Sequence, residues 1–316
     1  MHIVQVSSYV LPVSKYGGIE RITYYLCDEL IKLGHKVSLV CPPGSYHENP
    51  KVEVIHCEDV AHIQGFLPED MDIVHFHIPA LAKQQLSVPY IVTLHGNLRS
   101  YKEIHGLKNL VGISYSHMVS NRCGRFVYNG LPSSNYTFVD DNDQDNFIYL
   151  SAITPKAKGV SKAIFYSTLL REKLNVAGGF RKDIYKRFPI ATALSLFNGT
   201  KFFGEVDDIK KQNLLSKAKA LLFPISWQEP FGLVMIEALF CGTPVIGFNY
   251  GSVPEVIKPE VGFVVNKRRA FLEAMSLIQT IDRKKCRDYA VRHFDSSVMA
   301  KKYLACYQDI ISGQTW

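Results

Sequence analysis

Two carboxylates, Glu229 and Glu237, stand eight positions apart in Trp227-Gln228-Glu229-Pro230-Phe231-Gly232-Leu233-Val234-Met235-Ile236-Glu237-Ala238. Proline is favoured where a helix begins, because the N–H it lacks would be unpaired there anyway. Pro230 therefore predicts a helix over 231–240, headed by the outward amides of Phe231, Gly232 and Leu233. Such amides, with the positive end of the helix dipole, attract anions, and a diphosphate suits them. Glu237, about two turns along, is spaced to accept from the vicinal hydroxyls of a ribose, and Glu229 in the preceding loop to face a sugar. For either carboxylate alone, a cap or a solvated helix position is the simpler reading.

Other chemistry-bearing residues are less specific. Gly17-Gly18 precedes a helix, where the missing Cβ lets a ligand approach the backbone, although a plain turn explains the pair as well. His75 and His77 share one strand face, and two histidines with no third ligand point to packing or acceptor contact rather than to a metal. His95 closes a strand, where an isolated histidine has by default a structural role. Asp70-Met71-Asp72 copies the spacing of metal-dependent transferases but sits where a loop enters a strand, so no metal site is expected.

These residues need a scaffold, and short β-branched runs alternating with amphipathic segments supply one, as in βαβ units around parallel sheets. Strands are expected at 3–6, 36–41, 52–56, 72–77, 89–94, 110–114 and 125–128, with a helix over 20–33 ended by Gly34. The acidic run Asp140-Asp141-Asn142-Asp143-Gln144-Asp145-Asn146 is too hydrophilic for a core and reads as a linker. It lacks the central glycine and terminal glutamate of a calcium loop. Beyond it the alternation restarts, with strands at 147–151, 173–177, 201–204, 220–224, 244–248 and 262–265. Helices are expected at 160–170, 209–218, 231–240, 254–257 and 270–280, and a last one at 297–311. The expected domains are 1–139 and 147–296, both doubly wound, with 297–316 packing back on the first. Two such domains facing across a cleft place ligands at the carboxyl ends of their sheets.

The 316 residues, 47% hydrophobic and 21% charged, exclude a disordered or fibrous chain. No apolar run reaches the roughly 18 residues a membrane span needs, and the first residues read as a strand rather than a signal peptide, so a cytoplasmic protein without stable membrane insertion is expected. Seven scattered cysteines with no C-x-x-C pair read as reduced, buried thiols. The net charge of +7 divides unevenly: residues 1–145 carry 11 basic and 15 acidic side chains, residues 146–316 carry 25 and 14. A basic second half favours an anionic ligand. Runs such as Lys210-Lys211, Lys267-Arg268-Arg269 and Arg283-Lys284-Lys285 read as solvated faces. No basic stripe interleaved with aromatics marks a nucleic-acid module, and no G-x-G-x-x-G marks a dinucleotide oxidoreductase.

The motif around Glu229 and Glu237, preceded by Ala220-Leu221-Leu222-Phe223-Pro224 and followed by Cys241-Gly242-Thr243-Pro244-Val245-Ile246 and Gly251-Ser252-Val253-Pro254-Glu255-Val256-Ile257, resembles the retaining glycosyltransferases of family 4. The likeness extends over most of the chain, through Tyr16-Gly17-Gly18-Ile19-Glu20-Arg21, Asp72-Ile73-Val74-His75-Phe76-His77, Thr93-Leu94-His95-Gly96 and Val127-Tyr128-Asn129-Gly130-Leu131-Pro132. It implies the α/β GT-B fold, two Rossmann-like domains with the acceptor on the first and the donor on the second. It further implies a retaining, metal-independent hexosyltransferase without cofactor, moving a sugar from a nucleotide diphosphate sugar, UDP favoured, to a hydroxyl of a small-molecule or glycan acceptor. By the same resemblance, Gly17 and Gly18 approach the donor phosphates or the acceptor, and His95 touches the transferring sugar. Glu229 and Lys158 serve catalysis, while Lys158, Pro230, Phe231, Gly232, Leu233 and Glu237 hold the donor.

One departure stands at Leu150-Ser151-Ala152-Ile153-Thr154-Pro155-Lys156-Ala157-Lys158-Gly159. Lys158 matches the family's lysine, but Ala152 occupies the place of its arginine. A charge-assisted phosphate contact contributes about 1.5–3 kcal/mol, so its loss weakens donor binding by about one to two decades unless Lys156 or Arg181 takes over. The alternative function is a sugar-nucleotide-binding protein of the same fold with little or no turnover.

Overall fold

The computed structural model describes residues 1–13, 17–83, 88–140, 145–185 and 187–316. Tyr16 and residues 141–144 of the acidic run lie outside the described residues. The chain divides into two units, 1–132 with 294–316 and 133–293. The first division falls at Pro132, ahead of the acidic run that the composition marks as the boundary.

In the first unit β1 (His2–Val6), α1 (Ile19–Lys32), β2 (Lys36–Cys41), β3 (Val52–His56), β4 (Ile73–Phe76), β5 (Tyr90–Thr93), β6 (Leu110–Gly112), α2 (Tyr115–Asn121) and β7 (Arg125–Phe126) follow in order. The strands form one parallel sheet, β3-β2-β1-β4-β5-β6-β7. Every residue of β1 and β4 is buried, so these strands are near-continuous apolar runs rather than alternating ones. On α1, Ile22, Leu26 and Leu30 are fully buried and form its packed stripe. Gly34, at φ +84°, lets the chain turn out of that helix. No sequence signal marks α2; Ser114 caps it, its side chain accepting from the amide of His117.

The second unit runs β8 (Asn146–Leu150), α3 (Val160–Leu169), β9 (Lys173–Ala177), α4 (Arg181–Tyr185), α5 (Pro189–Leu194), β10 (Lys201–Phe202), α6 (Asp208–Ser216), β11 (Ala218–Phe223), α7 (Leu233–Phe240), β12 (Val245–Phe248), α8 (Val253–Val256), β13 (Gly262–Val265), α9 (Arg268–Leu277) and α10 (Arg283–Phe294). Its sheet is parallel in the order β10-β9-β8-β11-β12-β13. Strand order reverses beside β8, the switch point where doubly wound sheets bind ligands beyond the strand ends. The last helix, α11 (Ser296–Ile311), belongs to the first unit, where it packs on α1.

Two side chains read as solvated are buried. Arg283 donates to the carbonyl oxygens of Val139, Ala218 and Ser216 at 3.0, 2.9 and 2.7 Å and to Thr243 Oγ1 at 3.1 Å. Its fork of donors ties a loop, the end of α6 and the start of β11 together, so the arginine is structural. Lys211 is the second: its Nζ donates to Asp208 Oδ1 at 2.6 Å and also to Glu237, described below. All seven cysteines are buried and unpaired, and burial raises each thiol, to about 12 for Cys123, Cys241 and Cys286. No helix among the described residues is long and apolar enough to cross a membrane.

Candidate functional site

Three loops of the second unit, those after β8, β11 and β12, converge. The amide of Ser226 donates to the carbonyl of Ala157 at 2.8 Å, and a Cβ on Gly159, at φ +83°, would lie 2.3 Å from the carbonyl oxygen of Pro224. From the other side the amide of Ser252 donates to the carbonyl of Glu229 at 3.0 Å, and Ser252 Oγ donates to that of Phe231 at 2.9 Å. Gly251, at φ +57°, lies so close that any Cβ would meet the Glu229 carbonyl at 2.3 Å. The loop bearing Glu229 is thus clamped by backbone on both flanks.

Within this frame Lys158 Nζ lies 3.1 Å from Glu229 Oε2 and 4.3 Å from the centre of the Trp227 ring. Glu229 is 8% exposed, so a charge with few waters faces the cation. Trp227 Nε1 is buried and without a hydrogen-bond partner among the described residues. The structure therefore brings together Lys158 and Glu229, which the sequence singles out, with an aromatic wall that it does not.

The head of α7 departs from expectation. The helix begins at Leu233 rather than Phe231, because Gly232 at φ +78° takes the cap position in a left-handed conformation. Pro230 is therefore not a first helical residue, and Phe231 is buried as core. Gly232, Leu233 and Val234 are the partly exposed residues at this end, where first-turn amides have no carbonyl one turn back.

Glu237, expected to accept from ribose hydroxyls, is partnered within the second unit. It is 4% exposed, and its Oε1 accepts from Lys211 Nζ at 2.8 Å and from Tyr136 Oη at 3.1 Å. Neither Lys211 nor Tyr136 carries a sequence signal for this contact. Arg181 does not replace the missing arginine beside Lys158: its Nη2 donates to the carbonyl of Thr200 at 3.4 Å and its guanidinium lies 5.2 Å from the Phe202 ring. Lys156 and Ala152 are exposed.

In the first unit His95 is tied to His77, His95 Nε2 to His77 Nδ1 at 2.9 Å, and His77 Nε2 to Gln5 Oε1 at 2.8 Å. Gly17 lies under Glu20, whose Oε2 would be 2.7 Å from an added Cβ, while Gly18 caps α1 with ordinary right-handed dihedrals. Asp70 takes His2 Nδ1 at 2.9 Å and Lys36 Nζ at 2.8 Å, and Asp72 accepts from the amide of His2 at 2.7 Å, so both carboxylates brace the sheet.

Desolvation holds His75 and His77 well below their ordinary value and pushes His95 down to about 3, with neighbouring imidazoles adding to the effect. A base whose folded value is depressed stays neutral while the unfolded chain, near 6.5, binds protons. Stability present above about pH 6.5 is therefore lost as pH falls toward 3. For His95 alone this amounts to about 2 kcal/mol at pH 5, and His75 and His77 act in the same direction. Thermal unfolding of the first unit is expected at a lower temperature at pH 5 than at pH 7.5; an unchanged midpoint would contradict neutral burial.

The family description "Glycosyl transferases group 1" matches residues 138–292, and "Glycosyltransferase Family 4" matches residues 16–130. A 41.2 kDa protein of the cps region of Klebsiella pneumoniae is 28% identical over 186 residues, 55% of this chain and 46% of that protein. Phosphatidyl-myo-inositol mannosyltransferase of Mycobacterium tuberculosis is 21% identical over 93% of each chain. Among solved structures, AviGT4, a glycosyltransferase involved in avilamycin A biosynthesis, superposes with a TM-score of 0.80 at 23% identity, over 100% of this chain and 99% of that one. HepE of Anabaena, in complex with UDP and glucose, superposes with a TM-score of 0.69 at 16% identity, over 98% and 100%. Both domains of the family are matched in order and the twin parallel sheets have its architecture: the chain belongs to glycosyltransferase family 4 and has the GT-B fold.

Proposed function

We propose that the protein transfers a hexose from a nucleotide diphosphate sugar, with UDP as the favoured nucleotide, to a hydroxyl of a small-molecule or glycan acceptor, with retention and without a metal, in the cytoplasm. The observation that carries this reading is the group formed by Lys158, Glu229 and Trp227 beside the amides that head α7. A cation next to unpaired main-chain donors matches the charge that grows on a departing diphosphate. The solved HepE complex with UDP and glucose supports the choice of nucleotide. In the step, the bond between the anomeric carbon and the diphosphate oxygen breaks, and the acceptor oxygen bonds to the same face. The acceptor proton passes to the leaving phosphate oxygen. Lys158 and the amides of Gly232 and Leu233 steady that oxygen's charge, Glu229 accepts from sugar hydroxyls, and His95 contacts a sugar hydroxyl. Gly17 and Gly18 give the backbone a close approach to a substrate. For Pro230 and Phe231 the role is to shape the loop, and for Glu237 to anchor α7 from within.

The second reading, a binder without turnover, is favoured by one observation: Ala152 stands where the second cation is expected, and Arg181 donates to the Thr200 carbonyl. Side-by-side calorimetry with UDP, GDP and ADP, followed by transfer assays with the matching hexose nucleotides and NMR of the product anomer, separates the two. Turnover with UDP-hexose giving the donor's own anomeric configuration is expected. Tight UDP binding with neither hydrolysis nor transfer selects the binder, and no nucleotide binding removes both.

A further inference from the structure

Behind His95 runs a string of polar side chains buried in the first unit. Gln5 Nε2 lies 3.2 Å from Tyr307 Oη, Tyr307 Oη 2.7 Å from His75 Nδ1, and His75 Nε2 2.8 Å from Thr93 Oγ1, which meets Tyr303 Oη at 3.0 Å. The other end of the Gln5 amide meets His77, and His77 meets His95. No carboxylate enters the string, and neutral imidazole offers one donor and one acceptor. Fixing one proton therefore fixes the rest.

The distances fix it. A 3.2 Å separation between Gln5 and Tyr307 is too long for O–H···O, which spans about 2.5–3.0 Å, but within the range of N–H···O. The amide nitrogen of Gln5 therefore donates to Tyr307, and the phenol gives its own proton to His75 Nδ1 across the shorter 2.7 Å. Gln5 Oε1 is left as the acceptor toward His77, so His77 Nε2 carries a proton and its Nδ1 accepts from His95 Nε2. Among the described residues, Nδ1 of His95 takes no hydrogen bond.

We propose that Gln5, acting through His77, is a positioning residue that locks His95 as the Nε2–H tautomer. Its bare Nδ1 is then able only to accept, which fits the sugar-hydroxyl contact proposed above and not a phosphate or carboxylate oxygen. An anionic oxygen brings no proton to a bare imidazole nitrogen, whereas a sugar hydroxyl does. The second half of this statement rests on the transferase reading; the tautomer does not. A purely structural network would hold the same tautomer, so the role toward substrate is read from the response of Nδ1 to a sugar.

Long-range proton–nitrogen NMR on protein labelled with ¹⁵N-histidine reads the tautomer directly, with His95 assigned by its loss in His95→Gln. Between pH 6 and 8, Nε2 is expected protonated and Nδ1 bare; a protonated Nδ1 overturns the proposal. In Gln5→Leu the single tautomer is expected to give way to a mixture, and an unchanged His95 spectrum in a folded variant overturns the part assigned to Gln5. Should that variant fail to fold, the wild-type spectrum still decides. UDP together with a free hexose is expected to shift the Nδ1 resonance and inorganic sulfate, which carries no proton at this pH, is not; any other pattern overturns the hydroxyl assignment. A correct tautomer in a protein inactive on every sugar nucleotide would remove the transferase reading and leave the tautomer lock standing.

Discussion

Replacing Lys211 with methionine is expected to cost the second unit about 3–5 kcal/mol, because removing one partner of a buried ion pair strands the other charge. Lys211 and Glu237 are 8% and 4% exposed, and their contact is 2.8 Å. Tyr136 Oη would remain as a donor to the same Glu237 oxygen, a hydrogen bond that does not neutralise a charge. Lys211→Met with Glu237→Gln should recover most of the loss, since a neutral amide requires no counter-charge. Urea titration of wild type, the two single variants and the double variant measures the coupling. A single-variant loss under about 1 kcal/mol, the range of an exposed pair, would show that Glu237 is not buried as a charge and would reopen its assignment to a ribose.

Glu229→Gln is expected to lower turnover by about a hundredfold or more while leaving UDP binding no weaker. The two effects part because Glu229 has two relationships. Toward Lys158 it is a counter-ion at 3.1 Å, and with the carboxylate gone the ammonium is released to a diphosphate; a charge-assisted contact contributes about 1.5–3 kcal/mol. Toward the sugar it is the acceptor that fixes orientation, and misplacing a reacting centre by about 1 Å can cost about a hundredfold. Lys158→Met, by contrast, should weaken UDP and turnover together. Calorimetry and steady-state kinetics on the same preparations test the split; if Glu229→Gln keeps full activity, Glu229 is only a prop for the loop.

Much of the scaffold was legible because both sheets are parallel and buried. Strands covered on both faces appear as largely apolar runs, and in both units the runs match the observed strands to within a residue or two. Helices with weak amphipathic contrast were not legible: α4 and α10 carry Lys and Arg in positions that resemble solvated loop, and α5 is a six-residue segment too short to show a period. The same blindness hid Arg283 and Lys211, since a charge turned inward differs from one turned outward only by partners brought from elsewhere. Arg283 meets Ala218, 65 residues away, and Tyr136 reaches Glu237 across 101. The late start of α7 hinges on the left-handed backbone at Gly232, a freedom glycine permits but does not announce. Gln5 looked like one polar residue in an apolar strand. Its role emerges only when Tyr307, 302 residues on, is folded against it.

The seven shielded sulfhydryls have a practical corollary. With each thiol buried and held in its protonated form at neutral pH, the native surface should present maleimides and similar electrophiles with almost no background. One new cysteine at an exposed position such as Lys285 would then be chemically unique without deleting a native one. A dye or spin probe attached there would report on the second unit in otherwise unaltered protein.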